Sequence, residues 1–147
     1  MIGCVLTGHG EFAPGLAAAV TMIAGKQEHF EVVTFREDEP LEKFEGNLKT
    51  AIEKLLSETK GVVVFTDLLG GTPFRYSMVA AAEHDQQVEV ITGTNLPMLI
   101  ESLLIRTMED SASALATKAV NVGKEGVQNP QLQVDTAEDE EDDMEGI

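Results

Sequence analysis

The chain has 147 residues, a length typical of one domain that can bury its own core without a disulfide or metal. Its single cysteine, Cys4, excludes an intramolecular disulfide, and its net charge of −16 disfavours binding to nucleic acid or an anionic membrane. Eight of the 26 acidic residues lie within 135–145 with no base among them, so the rest carries eighteen acids against ten bases. We find no basic-apolar leader and no apolar run near ~18 residues, and therefore expect a cytoplasmic protein.

Strand and helix patterns alternate along the chain. Short β-branched or aromatic runs bounded by turn residues predict strands, and apolar residues spaced by three and four predict helices. In chain order the predicted elements are a strand at 2–7, a helix at 12–24, a strand at 30–35, a helix at 41–57, a strand at 61–66, a helix at 73–83, a strand at 88–92 and helices at 97–106 and 112–122.

This order predicts an α/β fold with an open, doubly wound and mainly parallel sheet, strand order 2-1-3-4, covered by helices on both faces. We assign residues 1–128 to the folded domain and 129–147 to an acidic linker or tail. Within the tail, Gln131–Val134 alternates polar and apolar residues. Two interpretations stay open: an antiparallel edge strand swapped between two subunits, or a tail with no structure.

The predicted strand order indicates where a site should lie. Ligands of open α/β sheets bind outside the carboxyl ends of the strands, at the point where the strand order reverses. That position brings together His9, after the first strand, and Asp67, after the third, whereas His29 and His84 precede strands and lie at the opposite edge. A carboxylate that accepts one imidazole N–H fixes the tautomer and leaves the other ring nitrogen free to act as a nucleophile.

A glycine loop closes the same crevice. The run Gly70-Gly71-Thr72-Pro73 allows close backbone approach, and we expect Thr72 to cap the helix that follows. The free N–H groups at that helix start favour an anion, which beside a nucleophilic histidine indicates phosphate. We consider Thr66 and Asn95 as supporting donors, with turn chemistry favoured for Asn95, and Arg75 as a solvated side chain or a phosphate or partner contact.

The sequence resembles a known family in three segments, TGHGEFAPGL, VVVFTDLLGGTPF and VITGTNLPMLIE. These segments are similar in order and spacing to the enzyme IIA component of the mannose family of the bacterial sugar phosphotransferase system, over Ile2 to about Gln128. The resemblance implies a homodimeric phosphotransferase without metal or cofactor. It implies that His9 is transiently phosphorylated, that Asp67 orients it, and that Gly70, Gly71 and Thr72 cradle the phosphate.

The resemblance also implies partners. The phosphoryl group would come from the phosphocarrier HPr and pass to a IIB component, which serves a sugar entering through a membrane-embedded IIC/IID pair. Since this sequence continues into an acidic run, we expect IIB to be a separate polypeptide. The sugar stays open among mannose, fructose, sorbose, N-acetylgalactosamine and gluconate, because a IIA domain does not contact it.

Three alternatives remain at this point. The family also includes the phosphoryl-donor subunit of a dihydroxyacetone kinase, which uses a similar histidine domain. A receiver domain phosphorylated on Asp67 is disfavoured, because the sequence has Gly8-His9-Gly10 where receivers need an acidic pair for magnesium. A flavin or nucleotide module is disfavoured, because the chain has no tryptophan and one tyrosine to stack on a ring.

Overall fold

Four parallel strands form the sheet, with β1 (Gly3–His9) and β3 (Val62–Phe65) in the centre and β2 (Phe30–Phe35) and β4 (Val88–Ile91) at the edges. The structure is a computed structural model and describes residues 1–133. The strand order β2-β1-β3-β4 and the parallel pairing confirm the predicted topology. β3 is fully buried because helices cover both faces of a parallel sheet, which agrees with its continuous run of valines and phenylalanine.

Five α-helices connect and follow the strands: α1 (Phe12–Ala24), α2 (Leu41–Glu58), α3 (Thr72–Ala82), α4 (Leu96–Ile105) and α5 (Ala112–Glu125). A 3₁₀ turn, Arg106–Met108, extends α4 and has no counterpart among the predicted elements. Gly25 ends α1 as expected, with a φ of 79° and an amide that donates to the Thr21 carbonyl.

The sheet separates two apolar cores. The first contains Cys4 and Leu6 of β1 together with buried residues of α1, α4 and α5, and the second contains Val5 together with buried residues of α2 and α3. This division follows from the alternation of side chains along a strand. Burial raises the pKa of the Cys4 thiol to about 12, against a smaller lowering by Arg106, so the thiol stays protonated at neutral pH.

The end of β1 differs from the sequence-based expectation. The strand was expected to stop at Thr7, but Gly8 and His9 continue the pairing with β2, opposite Thr34 and Phe35. His9 is therefore the last residue of a strand rather than part of a free loop. Its backbone position is fixed by the sheet, which matters for the site described below.

Regular structure ends at Glu125, three residues beyond the predicted end of the last helix. Gln131, Leu132 and Gln133 are exposed and belong to no strand of the single chain, while Val134 and the acidic run lie outside the described residues. The swapped edge strand, which needs a second chain, therefore stays a prediction. Over residues 1–133 no helix combines the length and apolar character needed to cross a membrane.

Candidate active site

His9 and Asp67 meet at the carboxyl edge of the sheet, as the topology predicts. The Nδ1 atom of His9 lies 2.8 Å from Oδ2 of Asp67, and the backbone N–H of His9 donates to the same oxygen at 2.9 Å. One carboxylate oxygen thus holds both the backbone and the ring of His9. Because Nδ1 is engaged, Nε2 is the ring nitrogen left available on a side chain that is 46% exposed.

The Asp67 carboxylate is largely shielded, with a side-chain exposure of 13%. Burial raises the pKa of this carboxyl group. Four interactions lower the pKa and together outweigh burial: hydrogen bonds from the His9 amide and from the His9 ring, the charge of His9, and the Leu68 amide. The net result is a pKa below the ordinary value of 3.8, so Asp67 is ionised at neutral pH. Its second oxygen, Oδ1, is buried without a partner among the described residues.

The absence of a side chain on Gly8 allows Asp67 to lie this close to β1. A Cβ atom at position 8 would lie 2.5 Å from Cδ1 of Phe12 and 3.0 Å from Cγ of Asp67. Both distances are shorter than a carbon contact allows, so a side chain here would push Asp67 away from β1. The glycine before the histidine is therefore a steric requirement of the His9–Asp67 pair.

The glycine loop lies next to the imidazole of His9. Gly70 has a φ of 81°, a left-handed conformation that favours glycine. A Cβ atom on Gly71 would lie 2.8 Å from Cε1 and 3.5 Å from Nε2 of His9. The loop backbone therefore packs directly against the ring, beside the nitrogen that remains available.

The helix that follows the loop presents free donors. Gly71 is the N-cap residue of α3, and no side chain caps the helix. Since the first turn of a helix has no intrahelical acceptors, the amides of Thr72 and Phe74 are open at its positive end. The Gly71 amide is not open, because it donates to the Leu68 carbonyl at 3.1 Å. Gly71 therefore contributes space for the ring rather than an N–H donor.

Replacement of Gly71 by alanine tests this packing. We expect the new methyl group to displace the His9 ring and to slow any reaction at Nε2 by about tenfold to a hundredfold, because a misplacement near 1 Å can have that effect. Gly46→Ala is the control, since Gly46 lies in α2 with open space where its Cβ would be. That change should leave the reactivity of His9 unchanged and stabilise the fold by about 0.5–1 kcal/mol. Equal reactivity of His9 in both variants would contradict the packing.

The structure revises two sequence-based expectations about supporting side chains and confirms a third. Thr72 is the first residue of α3 and forms no capping hydrogen bond, so its expected role as the cap is wrong. Thr66 was considered as a donor to the site, but its hydroxyl donates to the Ile91 carbonyl at 2.7 Å. Asn95 caps α4 by accepting from the Met98 amide and also donates to the Gly123 carbonyl. Turn and cap chemistry is therefore confirmed for Asn95.

The site contains features that sequence reasoning missed. Phe35 packs against the His9 ring, with ring centroids 5.7 Å apart, and the Phe74 amide is one of the open donors. The register of β1 and β2 explains this contact, since Phe35 is the residue paired with His9.

Arg75 is exposed and forms no salt bridge within residues 1–133. It lines a groove of about 360 Å³ between α2 and α3 that also includes Thr72.

The other two histidines lie away from the site. His29 precedes β2, where its Nδ1 lies 3.0 Å from Oε2 of Glu58, and His84 precedes β4. Both positions are at the amino edge of the sheet, as expected. Over the described residues, no group of three or more His, Cys, Asp and Glu side chains is arranged to hold a metal ion.

The lowered pKa of Asp67 predicts a pH dependence of stability. Because the pKa is lower in the folded state than in the unfolded chain, ionised Asp67 stabilises the fold at neutral pH. This contribution is lost as the pH falls from 3.8 through the folded-state pKa. We expect the difference in unfolding free energy between the wild type and Asp67→Asn to shrink below pH 4, measured by urea unfolding. A difference that stays constant from neutral to acidic pH would contradict the expectation.

Several known proteins resemble this chain in sequence. A family model described as the PTS system fructose IIA component matches residues 3–120. The chain is 37% identical over 134 residues to the mannose-specific EIIAB component of Escherichia coli strain K12, covering 86% of the chain but only 38% of that relative. It is 31% identical over 106 residues to the fructose-specific EIIA component of Bacillus subtilis strain 168, covering 72% of the chain and 71% of that protein.

A solved structure supports the same relationship. The phosphotransferase system component EIIA of Streptococcus agalactiae matches with a TM-score of 0.77 and 32% identity, covering 88% of this chain and 97% of the other. The relationship therefore extends over the fold as well as the sequence. The chain thus belongs to the mannose-family IIA components of the sugar phosphotransferase system.

Proposed function

We propose that this protein is a phosphoryl carrier that accepts phosphate from HPr on Nε2 of His9 and passes it to a IIB component. The observation that carries the proposal is the hydrogen bond between Nδ1 of His9 and Oδ2 of Asp67, which leaves Nε2 available next to Gly71, the residue before α3. The protein would work in the cytoplasm and serve the membrane-embedded IIC/IID pair only through IIB. We propose residues 1–128 as the carrier domain and a homodimer as its assembly.

The proposed transfer is an in-line displacement. The Nε2 lone pair forms a bond to phosphorus while the bond from phosphorus to the donor's histidine nitrogen breaks. The hydrogen on Nδ1 stays in its bond to Asp67, and the ionised carboxylate offsets the positive charge that the ring acquires. Positioning and electrostatic stabilisation are the main contributions that phosphoryl transfer needs from a protein.

The α3 helix start and the glycine loop would receive the phosphoryl oxygens. The open amides of Thr72 and Phe74 lie at the positive end of α3, and Gly70 and Gly71 leave room for the phosphate to approach the ring. We therefore propose that the phosphate is bound by Gly70, Gly71 and Thr72, with Gly71 acting through its lack of a side chain.

The environment of Asp67 favours histidine over aspartate as the phosphorylated residue. Its Oδ2 already accepts two hydrogen bonds from His9, and the carboxylate is 13% exposed. The His9 ring is several times more exposed and presents a nitrogen with no partner within residues 1–133. An incoming phosphate therefore reaches His9 first, which argues against the receiver alternative.

The surface beside His9 suits a protein partner. Leu68 and Leu69, directly before the glycines, are 60% and 69% exposed. Exposed leucines next to a reactive group favour an apolar protein interface rather than a small polar substrate. We propose that the donor and acceptor proteins both approach His9 across this rim.

Incubation with HPr, its kinase and phosphoenolpyruvate tests the proposal. We expect one phosphate per chain, labile in acid and stable in base, as a phosphohistidine is. Addition of a IIB component should then discharge it. No phosphate uptake would contradict the proposal. Phosphate that is stable in acid and labile in base would also contradict it and would point to Asp67 instead.

A further inference from the structure

The last residues of β1 and β2 form a cross-strand pair. His9 lies opposite Phe35 in the parallel register, and the next amide, that of Gly10, donates to the Phe35 carbonyl at 2.8 Å. Paired residues of neighbouring strands present their side chains on the same face of the sheet. The two rings accordingly meet edge to face, with centroids 5.7 Å apart and planes inclined at 75°.

Phe35 is itself held in place by a row of aromatic rings. Its ring lies 5.0 Å from that of Phe44, which is fully buried on α2. Phe44 in turn contacts Tyr76 of α3 at 5.9 Å, with the planes inclined at 79°. The row therefore connects the His9 ring to both helices on this face of the sheet. A side chain fixed on a buried neighbour can restrain another ring, whereas a freely rotating one cannot.

A further restraint on the imidazole matters because the hydrogen bond to Asp67 fixes the ring at one atom only. Asp67 holds only Nδ1, and the side chain is 46% exposed. The terminal torsion of histidine is broad and roughly two-fold, so a half-turn of the ring would move Nδ1 away from Asp67. Gly71 lies against Cε1 and bears no side chain to stop such a turn. Phe35 supplies an aromatic contact to the ring, with centroids 5.7 Å apart.

We propose that Phe35 is a positioning residue for phosphoryl transfer, whose ring keeps the His9 imidazole turned so that Nδ1 meets Asp67 and Nε2 faces the glycine loop. The catalytic consequence rests on the proposed carrier function, whereas the effect on the ring itself does not. Phe35 donates and accepts no proton; it acts through the orientation of His9 alone.

The test compares Phe35→Leu with Phe35→Tyr, which retains the aromatic ring. Phe30→Leu is the matched control, because Phe30 lies on the same strand at the opposite end, paired with Cys4. Two measurements are made: kcat and KM for transfer from phosphorylated HPr, and the ¹⁵N NMR signals of His9 in the unphosphorylated protein, which report the tautomer and its uniformity.

We expect Phe35→Leu to lower kcat about tenfold with KM for HPr unchanged within about twofold, since misorientation affects the reacting geometry rather than docking. The His9 nitrogens should then show a mixture of tautomers. Phe35→Tyr should restore both properties, and Phe30→Leu should alter neither. If Phe35→Leu does not fold, Phe35→Met takes its place with the same expectations.

An unchanged kcat and a single His9 tautomer in the folded Phe35→Leu variant would overturn the proposal. So would equal losses in Phe35→Leu and Phe30→Leu, since this outcome reduces Phe35 to a packing residue. If wild-type protein accepts no phosphate from HPr, the carrier function fails. The NMR comparison then still decides whether Phe35 orients the ring.

Discussion

Replacement of His9 by alanine is expected to abolish phosphate acceptance while the fold is retained. The change removes the proposed nucleophile, and loss of a nucleophile lowers turnover by more than about 10³-fold. The fold should tolerate it, because the side chain is 46% exposed and the backbone N–H that donates to Asp67 remains. Phosphate uptake from HPr and circular dichroism measure the two effects.

His29→Ala and His84→Ala serve as controls for this variant. Both residues precede strands at the amino edge of the sheet, away from Asp67 and the glycine loop. Each variant should therefore be phosphorylated as the wild type is. Acid-labile phosphate that persists in His9→Ala and disappears in either control would assign the carrier role to another histidine.

Asp67→Asn is expected to slow transfer by about 10²- to 10⁴-fold with little change in the fold. An asparagine is uncharged and cannot offset the positive charge of a phosphorylated ring. Its amide group can also donate a hydrogen bond to Nδ1, which favours the wrong tautomer, and loss of an orienting carboxylate has this order of effect elsewhere. Single-turnover transfer from phosphorylated HPr measures the rate.

The chain offers a matched control for this substitution. Glu58 accepts from His29 at 3.0 Å, close to the 2.8 Å of the Asp67–His9 pair, but it lies at the opposite edge. Glu58→Gln alters the same type of contact and should leave transfer unchanged. A near-wild-type rate in Asp67→Asn would make Asp67 a structural residue only.

The two histidine–carboxylate pairs illustrate why local chemistry alone does not define a site. Their distances are similar, but the Asp67 side chain is 13% exposed and that of Glu58 is 40% exposed. Asp67 also binds the His9 backbone and lies beside the glycine loop, whereas within residues 1–133 Glu58 binds His29 through the ring alone. An ion pair at such an exposed position contributes little, because water screens it.

The order of strands and helices follows from sequence patterns, and so does the meeting of His9 and Asp67. The valine run of β3 and the three- and four-residue spacing in α2 follow from which faces are buried, and this is a local property. Parallel connection then brings the carboxyl ends of β1 and β3 together, so His9 and Asp67 could be paired before the structure was known. The fold and this pairing agree with those expectations.

The other contacts around His9 depend on how the elements pack against one another. Phe35 contacts His9 through strand register, and Gly71 packs on the ring through the path of the loop, neither of which is encoded in residue spacing. The Thr66 hydroxyl donates to the Ile91 carbonyl because of where β4 lies. Such contacts depend on the relative placement of elements to within about 1 Å, whereas sequence periodicity specifies only which face of an element is buried.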